Sequence, residues 1–158
     1  MYLKEKPSLG YANSLWSLDL KNKTLKTVAR EENGLLTRWF PNGALKFSNN
    51  NGQNNFSWIK ADGKTIINWG FATLPSKCFL TAAEMYCAIP QIIEPRLKLP
   101  DAYLKNAVRF NDVINKIDLI SADYLPLDIP LAQLDADHLE VYQDKLFFIN
   151  RYDSKLYS

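Results

Sequence analysis

Leu15-Trp16-Ser17-Leu18-Asp19-Leu20 is answered further along the chain by Ile114-Asn115-Lys116-Ile117-Asp118-Leu119. Ser57-Trp58-Ile59-Lys60-Ala61 is a looser copy, and Leu156-Tyr157-Ser158 is a clipped one. Aligned on the second residue, the copies fall at positions 16, 58, 115 and 157. The intervals are 42, 57 and 42 residues. A period near 42 built from short strands is the signature of a β-propeller blade, a sheet of four antiparallel strands.

Each copy has a hairpin upstream of it. Leu36–Trp39, Phe40-Pro41-Asn42-Gly43 and Ala44–Phe47 read strand, turn, strand. Pro suits the second position of a turn, and Asn-Gly tolerates positive φ. The unit returns at 77–88 and at 138–149. The repeated phrase is then the third strand of a blade, and a turn such as Asp62-Gly63 leads to the fourth. Pro126 suits an outer edge strand, which lacks a ladder partner on one side. Met1-Tyr2-Leu3 matches Met85-Tyr86-Cys87. The expectation is an all-β chain of about 14 strands, with blade segments at 1–29, 34–70, 75–128 and 136–158. The first blade lacks its inner strand and the last its outer one. A four-bladed ring, a two-chain toroid or a piece of a longer propeller are the three ways to cover the faces left open.

Bulk properties fit one domain. The chain has 158 residues, 47% of them hydrophobic and 13% aromatic, with a net charge of +2. It is long enough to bury a core and too apolar for a disordered tail. No Lys/Arg run suggests a nucleic-acid stripe. No window reaches the ~18 apolar residues of a membrane span, and residues 1–7 lack the apolar core of a signal peptide.

Trp39-Phe40-Pro41-Asn42-Gly43-Ala44-Leu45-Lys46-Phe47 resembles the repeat of TolB-like bacterial propellers, and Leu15-Trp16-Ser17-Leu18-Asp19 resembles their next strand. The turn motif is degenerate at 81–84 and one residue shorter near 142–144. The stretch from Leu74 to Pro90 is similar to late blades of propellers in bacterial envelope proteins. The resemblance implies a protein-interaction scaffold outside the cytoplasm, in the periplasm or at the cell surface, with no cofactor. It carries no catalytic role over, because no hydrolase domain accompanies these strands.

Cys78 and Cys87 are the only cysteines and fall at matched places on one hairpin. They are read as a disulfide, which implies an oxidising compartment, against the alternative of two reduced thiols. Two Cys without a neighbouring His make only half a metal-ligand set. His138, the sole histidine, stands near Asp135, Asp137 and Glu140. It is read as a polar strand end rather than as an oriented base. No nucleophile elbow, phosphate loop or zinc motif is present, so no catalytic residue is assigned. The amides of 48–55, Asn50 and Asn54 among them, belong to a polar loop that offers hydrogen bonds to a sugar. Trp16, Trp39 and Trp58 fall where blades pack on one another, which makes them core rather than sugar platforms.

The insertion at 91–110 is the one irregularity and lengthens 42 to 57. Asp101 is placed to cap a short helical turn there. Insertions on one face of a repeat array are the usual place for function. Arg96, Tyr103, Arg109 and Phe110 are the expected contacts, because Tyr and Arg dominate binding hot spots. The reading that follows is a non-enzymatic scaffold that binds a protein or peptide through this face. A glycan-binding module using the Asn-rich loop is the alternative. An enzyme is a distant third reading.

Overall fold

The computed structural model describes residues 1–158. It is all-β, with four antiparallel sheets that follow one another along the chain. Strands β1 (Tyr2–Lys4), β2 (Ala12–Asp19) and β3 (Thr24–Asn33) form the first. Strands β4 (Leu36–Phe40), β5 (Gly43–Asn50), β6 (Gln53–Ile59) and β7 (Thr65–Asn68) form the second. Strands β8 (Cys78–Leu80), β9 (Glu84–Pro90), β10 (Asp112–Asp118) and β11 (Tyr124–Pro126) form the third. Strands β12 (Ala136–Tyr142), β13 (Lys145–Asn150) and β14 (Lys155–Tyr157) form the fourth. One helical turn, α1 (Asp101–Leu104), lies between β9 and β10. The strand content follows the alternation in the sequence, since side chains two apart share a face.

The sheets pack face to face. We call leading the face turned toward the next sheet along the chain, and trailing the other. The main core lies between the second and third sheets, where Leu45, Phe47 and Phe56 meet Cys78, Leu80, Met85, Cys87 and Ile117. A second cluster joins Ala88 and Ile114 of the third sheet to Ala136, Leu139 and Phe148 of the fourth. A small third cluster holds Leu15, Ala29 and Leu35, with Trp39 packed against it. Tyr2 stacks on Trp39 across the first and second sheets, with ring centroids 3.5 Å apart. Gly63, at φ +88°, lets the β6–β7 turn meet the first sheet: a Cβ there would lie 2.0 Å from the Val28 carbonyl oxygen.

Register corrects the alignment of the repeat. Trp16 pairs with Leu3, Asn115 with Cys87 and Tyr157 with Phe148. In the second sheet the same slot belongs to Ser57, paired with Lys46, and Trp58 pairs with Leu45 instead. A one-residue shift reverses which face a side chain occupies. Trp58 therefore packs against the main core, whereas Trp16 stands on the trailing face of the first sheet and joins no core cluster. Trp69 is buried in the main core.

The Asn-rich segment 48–55 also differs from its reading as a loop. The ladder of β5 and β6 continues through Asn50 and Gln53, leaving a two-residue turn at Asn51-Gly52. Both turn residues have positive φ, 52° and 84°, as an Asn-Gly hairpin turn of the primed type requires.

Candidate interaction site

The insertion is a folded cap rather than a loose loop. Leu99, Tyr103 and Phe110 lie in the main core, and Tyr103 and Phe110 stack with centroids 5.7 Å apart. Tyr103 and Phe110 are therefore not available as contacts, contrary to the sequence expectation. The physical reason is that α1 turns one face inward over the β8–β10 sheet, and a Tyr ring gains more from burial there than from exposure. Arg96 and Arg109 are exposed. Arg109 lies along the β13–β14 turn, where its Nε donates to the Arg151 carbonyl at 3.1 Å.

Beneath the cap lies a buried charge network that sequence reading missed. Lys77, at the end of a 3-10 turn (Pro75–Lys77), is wholly buried. Its Nζ stands 2.7 Å from Asp112 Oδ2 and 2.6 Å from Asp135 Oδ1. Arg151 Nη1 donates to Asp135 Oδ2 at 2.9 Å. Two cations thus face two carboxylates, which is the condition for burying charge at tolerable cost. The backbone N–H groups of Phe110 and Ala136 donate to Asp135 and Asp112 at 3.1 and 2.8 Å. Arg151 Nη2 reaches the Tyr103 carbonyl and Asn106 Oδ1 at 3.0 and 2.7 Å, and the guanidinium lies 3.6 Å from the Tyr103 ring centroid. Lys77 Nζ faces the rings of Tyr103 and Phe110.

The network is not fully satisfied. Asp112 Oδ1 and the Tyr103 hydroxyl are buried without a partner. Burial is the main reason that the Asp112 carboxyl is pushed up to about 6, opposed by Lys77. Burial likewise raises the Tyr103 phenol far above its usual range. The four charged residues come from segments far apart in sequence, so no local motif announces them. The only signal is a charge set beside each apolar strand: Lys77 before β8, Asp112 opening β10, Asp135 before β12 and Arg151 after β13.

Against this anchored interior, the outer side of the cap is open. Leu9 N–H donates to Asp101 Oδ1 at 2.8 Å, which ties the β1–β2 loop to α1. Between them runs a groove of about 590 Å³ bordered by Tyr11 and Leu104 and by two cations, Lys6 and Lys105, beside two carboxylates, Glu5 and Asp101. Tyr11 is 77% exposed and Leu104 51%. The insertion carries Arg96, Lys98, Lys105 and Arg109 against Glu94 and Asp101, but of these only Lys105 and Asp101 line the groove. Leu104 also borders a cavity of about 380 Å³ reached by Lys4, Thr37, His138 and Glu140.

Arg38 separates that cavity from a third one. Its Nη1 donates to the Cys78 carbonyl at 2.9 Å, its Nη2 binds Glu140, and its guanidinium lies over the rings of Phe40 and Phe79. The space beyond, about 710 Å³, is lined by Trp39, Phe79 and the β4–β5 and β8–β9 turns. The Arg38–Glu140 pair joins the second sheet to the fourth.

The remaining expected residues are accounted for locally. Cys78 and Cys87 are a cross-strand pair joined by a disulfide. Asn54 Oδ1 accepts from Asn49 Nδ2 at 2.8 Å, Asn49 Oδ1 accepts from Gly52 N–H, and Asn50 is exposed. His138 sits at a bulge with φ 54° and its exposed ring is 3.3 Å from Asp137. No cluster of three His, Cys, Asp or Glu is placed to hold a metal ion. No helix is long and apolar enough to cross a membrane. Compared with protein-family models, with curated proteins and with solved structures, the chain matches none of them.

Proposed function

We propose that the four sheets are blades of a TolB-like propeller scaffold, and that the chain works by binding a protein or peptide partner through the face that bears the insertion. The observation that carries this reading is the contrast within one helical turn. Tyr103 is buried over the charge network, and its neighbour Leu104 is turned out into a groove beside Tyr11. A rigidly held apolar anchor costs little conformational entropy on binding. Lys6 and Lys105 stand in the groove beside Glu5 and Asp101, which favours a partner segment that sets an apolar residue among charges of both signs. The bonded cysteine pair supports an oxidising setting, such as a bacterial envelope. The glycan reading finds less support, because the Asn49 and Asn54 amides are engaged with each other.

The test is selection of a randomised peptide library on the immobilised chain. Enriched peptides are expected to share an apolar residue flanked by charged ones and to lose binding to Leu104→Asp, a surface change that leaves the core intact. Absence of enrichment, or enriched peptides indifferent to Leu104→Asp and Tyr11→Ala, overturns the site.

A further inference from the structure

An amine and a carboxylate that meet in water stay an ion pair, because hydration favours both charges. Lys77 and Asp112 meet away from water. Both side chains are wholly buried, and Lys77 Nζ lies 2.7 Å from Asp112 Oδ2. A C–O bond adds about 1.2 Å, so the carboxyl carbon stands within about 4 Å of the nitrogen, close to a near-attack distance.

The two oxygens of Asp112 have different settings. Oδ2 accepts the Ala136 N–H at 2.8 Å, and Oδ1 is buried without a partner. The first is placed to carry negative charge against a fixed donor, and the second is free to leave. A second carboxylate faces the same nitrogen: Asp135 Oδ1 is 2.6 Å from Lys77 Nζ. Its other oxygen is held by Arg151 and by the Phe110 N–H. The rings of Tyr103 and Phe110, with centroids 5.1 and 5.5 Å from Nζ, lie over the nitrogen. Burial disfavours charge, and it pushes the Asp112 carboxyl up to about 6.

We infer that the folded chain joins Lys77 to Asp112 by an amide cross-link, an isopeptide bond, with Asp135 as the proton carrier. The Lys77 ammonium passes one proton to Asp112 Oδ1, which leaves a neutral amine beside a carboxylic acid. The Nζ lone pair attacks the Asp112 carboxyl carbon, and Oδ2 takes the negative charge beside the Ala136 N–H. Asp135 Oδ1 takes a second proton from Nζ and returns it to Oδ1 of Asp112. The bond from the carboxyl carbon to Oδ1 breaks, Oδ2 re-forms the carbonyl, and Oδ1 leaves as water with both protons. Nothing is oxidised or reduced, and no co-reactant is consumed. The ion pair is the unlinked state, and only there can Asp112 titrate. The bond encloses β8, β9 and the insertion in one covalent loop, 77–112, and so fixes the cap independently of the disulfide. The inference rests on these buried atoms and not on the peptide groove, so the two proposals fail separately.

The test is intact-mass spectrometry and tryptic mapping of the full chain, denatured and with its disulfide reduced. The wild type is expected below its sequence mass by one water. Its digest is expected to hold peptide 110–116 joined to peptide 65–96 through an uncleaved Lys77. Lys77→Arg and Asp112→Ala are expected at their full sequence masses. A wild type at full mass with Lys77 cleaved overturns the inference, and this reading needs no variant to fold. A loss of water that maps elsewhere, or that persists in Lys77→Arg, belongs to another site and also overturns it. Asp135→Asn, with its fold checked by circular dichroism, is expected to stay unlinked. A linked Asp135→Asn overturns the role given to Asp135. Should that variant unfold, Asp135→Ser is read in the same way.

Discussion

Asp112 shows how one side chain is governed by its surroundings. It opens β10 in a sequence context that could belong to any surface strand end, yet it is buried beside Lys77 with one oxygen unpartnered. Its folded pKa, about 6, lies above the ordinary 3.8. The folded state therefore holds a proton more tightly than the unfolded one. The stability this contributes is complete below about pH 3.8 and is lost as pH rises through about 6. Asp112→Asn resembles the protonated form at every pH. Relative to wild type, the variant should gain in urea-denaturation midpoint as pH rises from 4 to 7. A difference that stays constant across that range would show that Asp112 does not titrate there.

At the scale of elements, the β8–β9 hairpin is the shortest inner pair and the one held covalently. β8 has only three residues, and Cys78 and Cys87 close a loop with a sequence separation of nine. Chain-entropy reasoning gives about 2–3 kcal/mol for a loop of that size. Replacing both cysteines with alanine is expected to lower unfolding free energy by about that amount, measured by denaturant titration without reductant. A loss near zero would mean that packing of β8 against β4 and β12 holds the hairpin unaided. The hairpin was legible because both cysteines sit at matched places in a repeat. The inward turn of α1 was not, because a four-residue helix has too few positions for an amphipathic pattern.

For the whole molecule, the Lys77 network is the point where separate segments are held together. It joins the start of β8, the start of β10, the approach to β12 and the turn after β13 to the insertion above them. Lys77→Met keeps much of the stem's packing but leaves Asp112 without a cation. Breaking a buried ion pair from one side costs about 3–5 kcal/mol. The variant should lose stability of that order at pH 7, and less at pH 4, where Asp112 is protonated. Tryptophan fluorescence and far-ultraviolet circular dichroism should move together, since the network spans sheets rather than one of them. A loss confined to one probe would show that the cap opens by itself.

Most strands, the turns at 40–43 and 62–63 and the matched cysteines were written into the sequence, because alternation, turn residues and a repeat of hairpins act over a few neighbouring residues, whereas the Asn51-Gly52 turn, read as part of a polar loop, was not. The place of the insertion was legible too, as the interval that breaks the repeat. Which of its residues face inward was decided only by tertiary structure. Tyr103 and Phe110 are core and Leu104 is exposed because Lys77, Asp112, Asp135 and Arg151 meet beneath them. The facing direction of Trp16 and Trp58 was likewise decided by pairing register. Burial is a property of what lies across from a side chain, and here the opposing residues come from other sheets.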